Sequence, residues 1–168
     1  MDAPKIARIW AMPNKDTFKI KPIRELLSRY VGDGIGWVDP FSGWNSPAEI
    51  TNDLNPEAPT SHHKHAFDFC EVLDGNYKGA LFDPPYSLRQ VKECYDNFGR
   101  SLTAEESQDA SFSRVKNLLA PKIEWAISFG WNSMGFGKNR GFQIVEILLV
   151  PHGGHHNDTI VTVERKAQ

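Results

Sequence analysis

Gly79-Ala80-Leu81-Phe82-Asp83-Pro84-Pro85-Tyr86 is the stretch from which the rest of the chain can be read. Gly79 to Phe82 form a short apolar run of the kind a buried strand uses, and an acid follows at once. Proline has no backbone N–H to give to a strand ladder, so the double proline ends the strand at Asp83. An ionisable side chain therefore stands at the carboxyl end of a buried strand, on a backbone stiffened by two prolines.

Working outward, the same alternation recurs on both sides. Leu88, Val91, Cys94, Tyr95 and Phe98 fall at helical spacing and predict a helix over residues 88–98. Upstream, Gly36–Asp39 and Ala48–Asp53 read as short strands that each end in an acid, and Phe67–Leu73 reads as a helix. Earlier still, Met12–Asp16 reads as a loop. Pro22–Tyr30 reads as a helix with proline in its first turn and Ile23, Leu26, Leu27 and Tyr30 as its apolar face. Downstream, a helix over Ser111–Ala120 is stopped by Pro121, and Trp125–Phe129 is a strand. Phe142–Val150 and Thr159–Glu164 then form an antiparallel pair closing one end of the sheet. Strands alternating with helices imply an α/β fold with a mostly parallel sheet, and ligands in such sheets sit at the carboxyl ends of the strands.

The bulk properties agree. The 168 residues, 40% apolar, suit one domain with a real core, so residues 1–168 are read as a single unit, with 100–122 the candidate for a small insert. Net charge is -2 but uneven: residues 1–30 carry seven Lys/Arg against three Asp/Glu, and residues 31–130 carry eight against fifteen. A basic N-terminal stretch suits either a polyanion or a solvated helix face. Cys70 and Cys94 both fall in helical stretches, which predicts reduced thiols rather than a disulfide framework. No apolar run has the length of a membrane span, and the N-terminus lacks the apolar stretch of a signal peptide, so a soluble, cytoplasmic protein with no membrane partner is expected.

Asp83-Pro84-Pro85-Tyr86 carries the chemistry. The amino group of a nucleobase is a poor nucleophile because its lone pair is delocalised into the ring. A carboxylate and a backbone carbonyl that both accept from this group would draw the nitrogen towards tetrahedral geometry. Two prolines keep that carbonyl aimed, and the adjoining aromatic ring can stack on a base. The alternative is a strand followed by a rigid turn, with Tyr86 as packing.

From about Phe18 to Glu164 the chain resembles the amino-methyltransferases of the class I S-adenosyl-L-methionine (SAM)-dependent family, in the DPPY form typical of adenine N6 enzymes. It is most similar to the small phage-type DNA adenine methyltransferases. The resemblance implies a Rossmann-like SAM-methyltransferase domain with SAM as methyl donor and DNA as substrate, Asp83, Pro84, Pro85 and Tyr86 being the catalytic motif. Asp39-Pro40-Phe41-Ser42-Gly43 resembles the family's cofactor loop. Lys21, in Lys21-Pro22-Ile23-Arg24-Glu25, resembles the segment that helps hold the SAM carboxylate. Asp53, followed by Leu54, is placed like the acid that binds the ribose hydroxyls.

Three positions depart from the family's pattern. Asn45 stands where the loop usually has a second glycine. Nine residues separate Gly43 from Asp53, too few for a usual parallel crossover, so the first crossover helix is expected to be shortened to a turn or absent. His65 precedes Ala66-Phe67 where the family places an acid against the SAM adenine, and either His65 or Asp68 fills that role.

Two further segments have open readings. His62-His63-Lys64-His65 and His152–Asp158 are rich in imidazole but lack a ligand framework with metal spacing, so no metal is expected. In the second group His155, His156 and Asn157 contact phosphate or the flipped base, or else form a polar hairpin turn. The loop Trp131–Arg140 covers the target base and grips nucleic acid through Lys138 and Arg140, or is an ordinary glycine-rich connection. With little room for a recognition domain, two alternatives stand beside a DNA enzyme. One is an RNA or single-stranded DNA acceptor, and the other a non-catalytic subunit that binds SAM or nucleic acid. A homodimer could supply missing recognition surface.

Overall fold

The computed structural model describes residues 3–85 and 109–167, the side chains of 109–111 excepted. Tyr86, Cys94, the helix expected over 88–98 and the first part of 100–122 lie outside the described residues. In chain order the elements are β1 (Lys5–Arg8), α1 (Lys21–Tyr30), β2 (Trp37–Asp39), β3 (Ile50–Thr51), α2 (Ala66–Val72) and β4 (Tyr77–Phe82). Then follow α3 (Asp109–Leu119), β5 (Ile123–Gly130), β6 (Phe142–Val150) and β7 (Thr159–Lys166).

The strands form one seven-stranded sheet in the order β1-β6-β7-β5-β4-β2-β3. Only β7 runs against the others: it pairs antiparallel with β5 and β6, and the remaining neighbours are parallel. This is the expected α/β sheet with an antiparallel final pair. Strand β1 is an addition to the reading. Its four residues are exposed except for Ala7, and its partners on the edge of β6 are each 141 residues away in sequence (Lys5 with Glu146 through Arg8 with Leu149). Nothing local makes Lys5-Ile6-Ala7-Arg8 a strand; the unpaired backbone of β6 does.

Each face of the sheet is covered. On one side α1 buries Ile23, Leu26 and Leu27 against Leu81, Ile127, Leu148 and Val163. Tyr30 completes that face, but its hydroxyl donates to Glu146 at 2.7 Å, beside the two bonds from Arg29 to the same carboxylate. On the other side α2 and α3 pack Phe69, Cys70, Val115 and Leu119 against Val38, Ala80 and Ala126. The Cys70 thiol is free and buried. No helix among the described residues is long and apolar enough to cross a membrane.

Two features hold the centre. Trp37 and Gly79 are register partners on β2 and β4, and the indole lies so close that a Cβ on Gly79 would stand 2.6 Å from its ring. The crossover from β2 to β3, residues 40–49, contains no helix, as its length required. Side chains take the helix's place. Asn52, buried, donates to the Pro40 and Lys64 carbonyls and accepts the Lys64 N–H, while Ser42 donates to the Asn52 carbonyl through both its N–H and its hydroxyl.

Candidate active site

From β2 the chain turns outward to β3, then returns to form β4 on the other flank of β2. The sheet therefore has a topological switch between β2 and β4, and the crevice beyond their carboxyl ends is where such folds bind ligands. Asp39 ends β2 and Asp83 follows β4, so both acids lie at the edge of the sheet that the crevice borders. A cavity of about 650 Å³ opens there, within the range of small-molecule sites.

The lining brings together much of what the sequence singles out. Asp83, Pro84 and Pro85 form one wall, and Pro40, Phe41 and Gly43 another. Asp53 and Leu54 after β3, and His65 and Ala66 at the start of α2, line it too, as do His155, His156 and Asn157 from the β6–β7 connection. Other predicted residues stand elsewhere. Asp39 is sealed beneath the floor, where its carboxylate accepts the Phe41 N–H at 3.0 Å and the Ser46 hydroxyl at 2.6 Å. Ser42 is buried in the crossover. Lys21 points into solvent from the first turn of α1, whereas Ile20 before it reaches the lining.

Lys138 and Arg140 are not among the lining residues, for a topological reason. β6 runs parallel to β5, because each is antiparallel to β7, so the β5–β6 connection must descend from the carboxyl edge to the amino edge before β6 begins. Trp131 at its start lines the cavity; Lys138 and Arg140 come at its end. The Arg140 guanidinium is bound to Asn117, Ser113 and the Phe136 carbonyl. Glu164, buried on β7, fixes the middle of the loop by accepting the N–H groups of Phe136 and Gly137 at 2.6 and 2.9 Å.

Electrostatics set the acids apart. Burial pushes the Asp83 carboxyl up to about 6, with the neighbouring Thr17 hydroxyl opposing the shift. Burial pushes Asp39 up to about 7, and the charges of Asp83 and Asp53 add to it against the Ser46 and Phe41 hydrogen bonds. Asp53 is tied differently: its two oxygens accept the N–H groups of Gly43 and Asn55 at 2.9 and 2.8 Å. Gly43 has φ of +55°, so its N–H can turn back to Asp53 without the strain a side chain would bring.

Several lining residues had no signal in the sequence. Asn14, Lys15 and Thr17 come from the N-terminal segment, and Trp44 from the crossover. The N-terminal segment is tied to the chain after β6 by the Ala11 N–H, which donates to the Pro151 carbonyl at 3.2 Å, and by buried His152. Its Nδ1–H donates to the Ala11 carbonyl at 2.8 Å, since a carbonyl only accepts, and Nε2 then takes the Thr159 hydroxyl at 2.8 Å. Among the described residues no group of three His, Cys, Asp or Glu could hold a metal ion.

No protein-family model matches the sequence, and no curated protein matches it significantly. Solved structures do match the fold. The 1,6-didemethyltoxoflavin-N1-methyltransferase of Burkholderia thailandensis, with bound 1,6-didemethyltoxoflavin and S-adenosylhomocysteine, superposes with a TM-score of 0.55 at 12% identity, over 88% of this chain and 78% of that one. TrmN from Thermus thermophilus gives 0.53 at 12% identity over 88% of this chain, which spans about half (49%) of that protein. The yhhF protein of Escherichia coli, a candidate methyltransferase, gives 0.52 at 12% identity, covering 94% and 92% of the two chains. At this identity the likeness is one of fold: the sheet is that of the Rossmann-like methyltransferases.

Proposed function

We propose that the protein is a SAM-dependent methyltransferase that modifies the N6 amino group of adenine in DNA. The observation that carries the reading is the meeting of Asp83-Pro84-Pro85 with Phe41, Gly43 and Asp53 in one cavity at the switch point of the sheet.

The walls fit SAM by chemistry. Asp53 keeps lone pairs free beyond its two backbone bonds and can accept ribose hydroxyls. Phe41, Leu54 and Ala66 offer apolar surface to an adenine ring, with His65 beside them. Asp53 and Asp83, with Asp39 below, make an acidic floor suited to a ligand bearing a sulfonium and an ammonium. SAM, when bound, supplies an electrophilic methyl group. Asp83 and the Pro84 carbonyl accept from the adenine amino group and aim its lone pair, the two prolines holding the backbone fixed. Tyr86, by the family resemblance, stacks on the flipped base. A carboxyl near 6 is ionised at neutral pH yet basic enough to take the proton that the nitrogen releases. No covalent intermediate with the protein is needed, and rate comes from alignment and from fixed dipoles in a partly closed pocket.

Incubating the protein with unmethylated DNA and methyl-labelled SAM, followed by nucleoside mass spectrometry, tests this. N6-methyladenine is the expected product. Label in another base, or SAM binding without any transfer, would overturn the assignment.

A further inference from the structure

The part of the cavity that suits SAM is walled by three separate stretches of chain. Phe41 and Gly43 belong to the crossover after β2, Asp53 and Leu54 follow β3, and Lys64, His65 and Ala66 lead into α2. A crossover helix would ordinarily brace the first stretch by packing on the sheet, but residues 40–49 contain none. One buried side chain reaches all three. Asn52, the residue after β3, is 1% exposed.

Its carboxamide gives both hydrogens to backbone. Nδ2 donates to the Pro40 carbonyl at 3.1 Å and to the Lys64 carbonyl at 2.9 Å, while Oδ1 accepts the Lys64 N–H at 2.9 Å. The Asn52 carbonyl in turn accepts the Ser42 N–H at 3.0 Å and the Ser42 hydroxyl at 3.1 Å. Asp53, next in the chain, donates its N–H to the His62 carbonyl at 3.2 Å and accepts the Gly43 N–H at 2.9 Å. The loop after β2 and the segment before α2 are thus tied to each other across Asn52. The set of bonds is particular to asparagine: an ionised aspartate has no hydrogen to give, and a serine or threonine has one.

We infer that Asn52 is a positioning residue for the cofactor, holding the Phe41–Gly43 loop against the Lys64–Ala66 segment so that these walls and Asp53 meet the nucleoside half of SAM at a fixed spacing. It touches no reacting atom. Such preorganisation is read as affinity, because a wall that is ordered only on binding weakens binding by the entropy of ordering it. The inference rests on the SAM reading of this cavity and names the group that keeps it in shape before the ligand arrives.

Calorimetric titration of the full chain with SAM and with S-adenosylhomocysteine tests this in the wild type, Asn52→Ala, Asn52→Asp and Glu146→Gln. The last removes hydrogen bonds from a residue outside the lining, and so controls for general loosening of the fold. Asn52→Ala should bind both ligands at least about 10-fold more weakly. Asn52→Asp keeps the size and the acceptor but loses the hydrogens for the two carbonyls, so its affinity should fall too, even where the alanine variant does not fold. Glu146→Gln should bind SAM as the wild type does. In methyl transfer the loss in the Asn52 variants should fall mainly on KM for SAM, with a smaller change in kcat. Wild-type affinity in a folded Asn52 variant, an equal loss in Glu146→Gln, or a loss confined to kcat overturns the inference. If the wild type binds neither ligand, the cofactor reading falls and this inference with it. If the wild type binds SAM and the Asn52 variants bind it equally well, this inference alone falls.

Discussion

Replacing Asp39 by Asn probes the electrostatics beneath the site. Asp39 is 0% exposed, and burial, reinforced by Asp83 and Asp53, pushes its carboxyl up to about 7. In the unfolded chain an aspartate titrates near 3.9. The folded state thus holds the proton more tightly, and stability falls as pH rises from the unfolded value through about 7. A gap of about three units is worth at most about 4 kcal/mol once both states are ionised, so about 2–4 kcal/mol is expected at pH 8. Asn removes the charge and keeps the geometry. Its Oδ1 can accept from the Phe41 N–H, and its amide can donate to the Ser46 oxygen once that hydroxyl turns away. Urea unfolding of both proteins between about pH 4 and pH 8 measures the effect, the difference between them cancelling the titration of every group that does not feel Asp39. The Asn variant should match the wild type, or fall slightly below it, at the acid end and exceed it by about 2–4 kcal/mol at the alkaline end. A difference that stays flat with pH, or an Asn variant that is the weaker protein at pH 8, would refute the burial argument.

Other perturbations follow the same geometry. Asp83→Ala should lower methyl transfer by at least ~100-fold, a loss well beyond any weakening of SAM binding read by calorimetry. In the wild type, kcat/KM should fall as pH drops through about 6, because protonation removes the acceptor that Asp83 provides. Gly79→Ala drives a methyl group against the ring of Trp37, which is 0% exposed, and should cost about 1–3 kcal/mol in thermal unfolding. Glu146, held by Arg29, Tyr30 and Lys5, has its carboxyl lowered to about 2, so its contribution is complete above the ordinary glutamate pKa and is lost as pH falls through about 2. Glu146→Gln should therefore cost about 1–2 kcal/mol at neutral pH, with the gap closing in acid, as read by pH-dependent unfolding.

The elements that could be read along the chain are those whose signal is local. Phe142–Val150, seven of whose nine residues are apolar, matches β6 to the residue, and Ile23, Leu26 and Leu27 at helical spacing mark the buried face of α1. The ten residues between β2 and β3 were too few for a helix, and none is there. β1 could not be read, because Lys5-Ile6-Ala7-Arg8 owes its conformation to the edge of β6. Asn52, which clamps the crossover to the segment before α2, looks in sequence like any asparagine at the end of a strand. Lys138 and Arg140 read as a nucleic-acid grip only while the direction of β6 is unknown.

The residue order alone fixes what Asp83-Pro84-Pro85 can do, since a carboxylate, a stiff backbone and an aimed carbonyl are properties of adjacent atoms. It also fixes the alternation that makes an α/β sheet, because periodicity is a local property of the chain. Tertiary structure alone decides which groups share a cavity. It ties the N-terminal segment to the chain after β6 through His152 and the Ala11–Pro151 backbone bond, seals Asp39 under the floor, and brings Trp44 and Trp131 into the lining of the cavity that holds Asp83. Burial and charge are sums over neighbours distant in sequence, and only the folded chain brings those neighbours together.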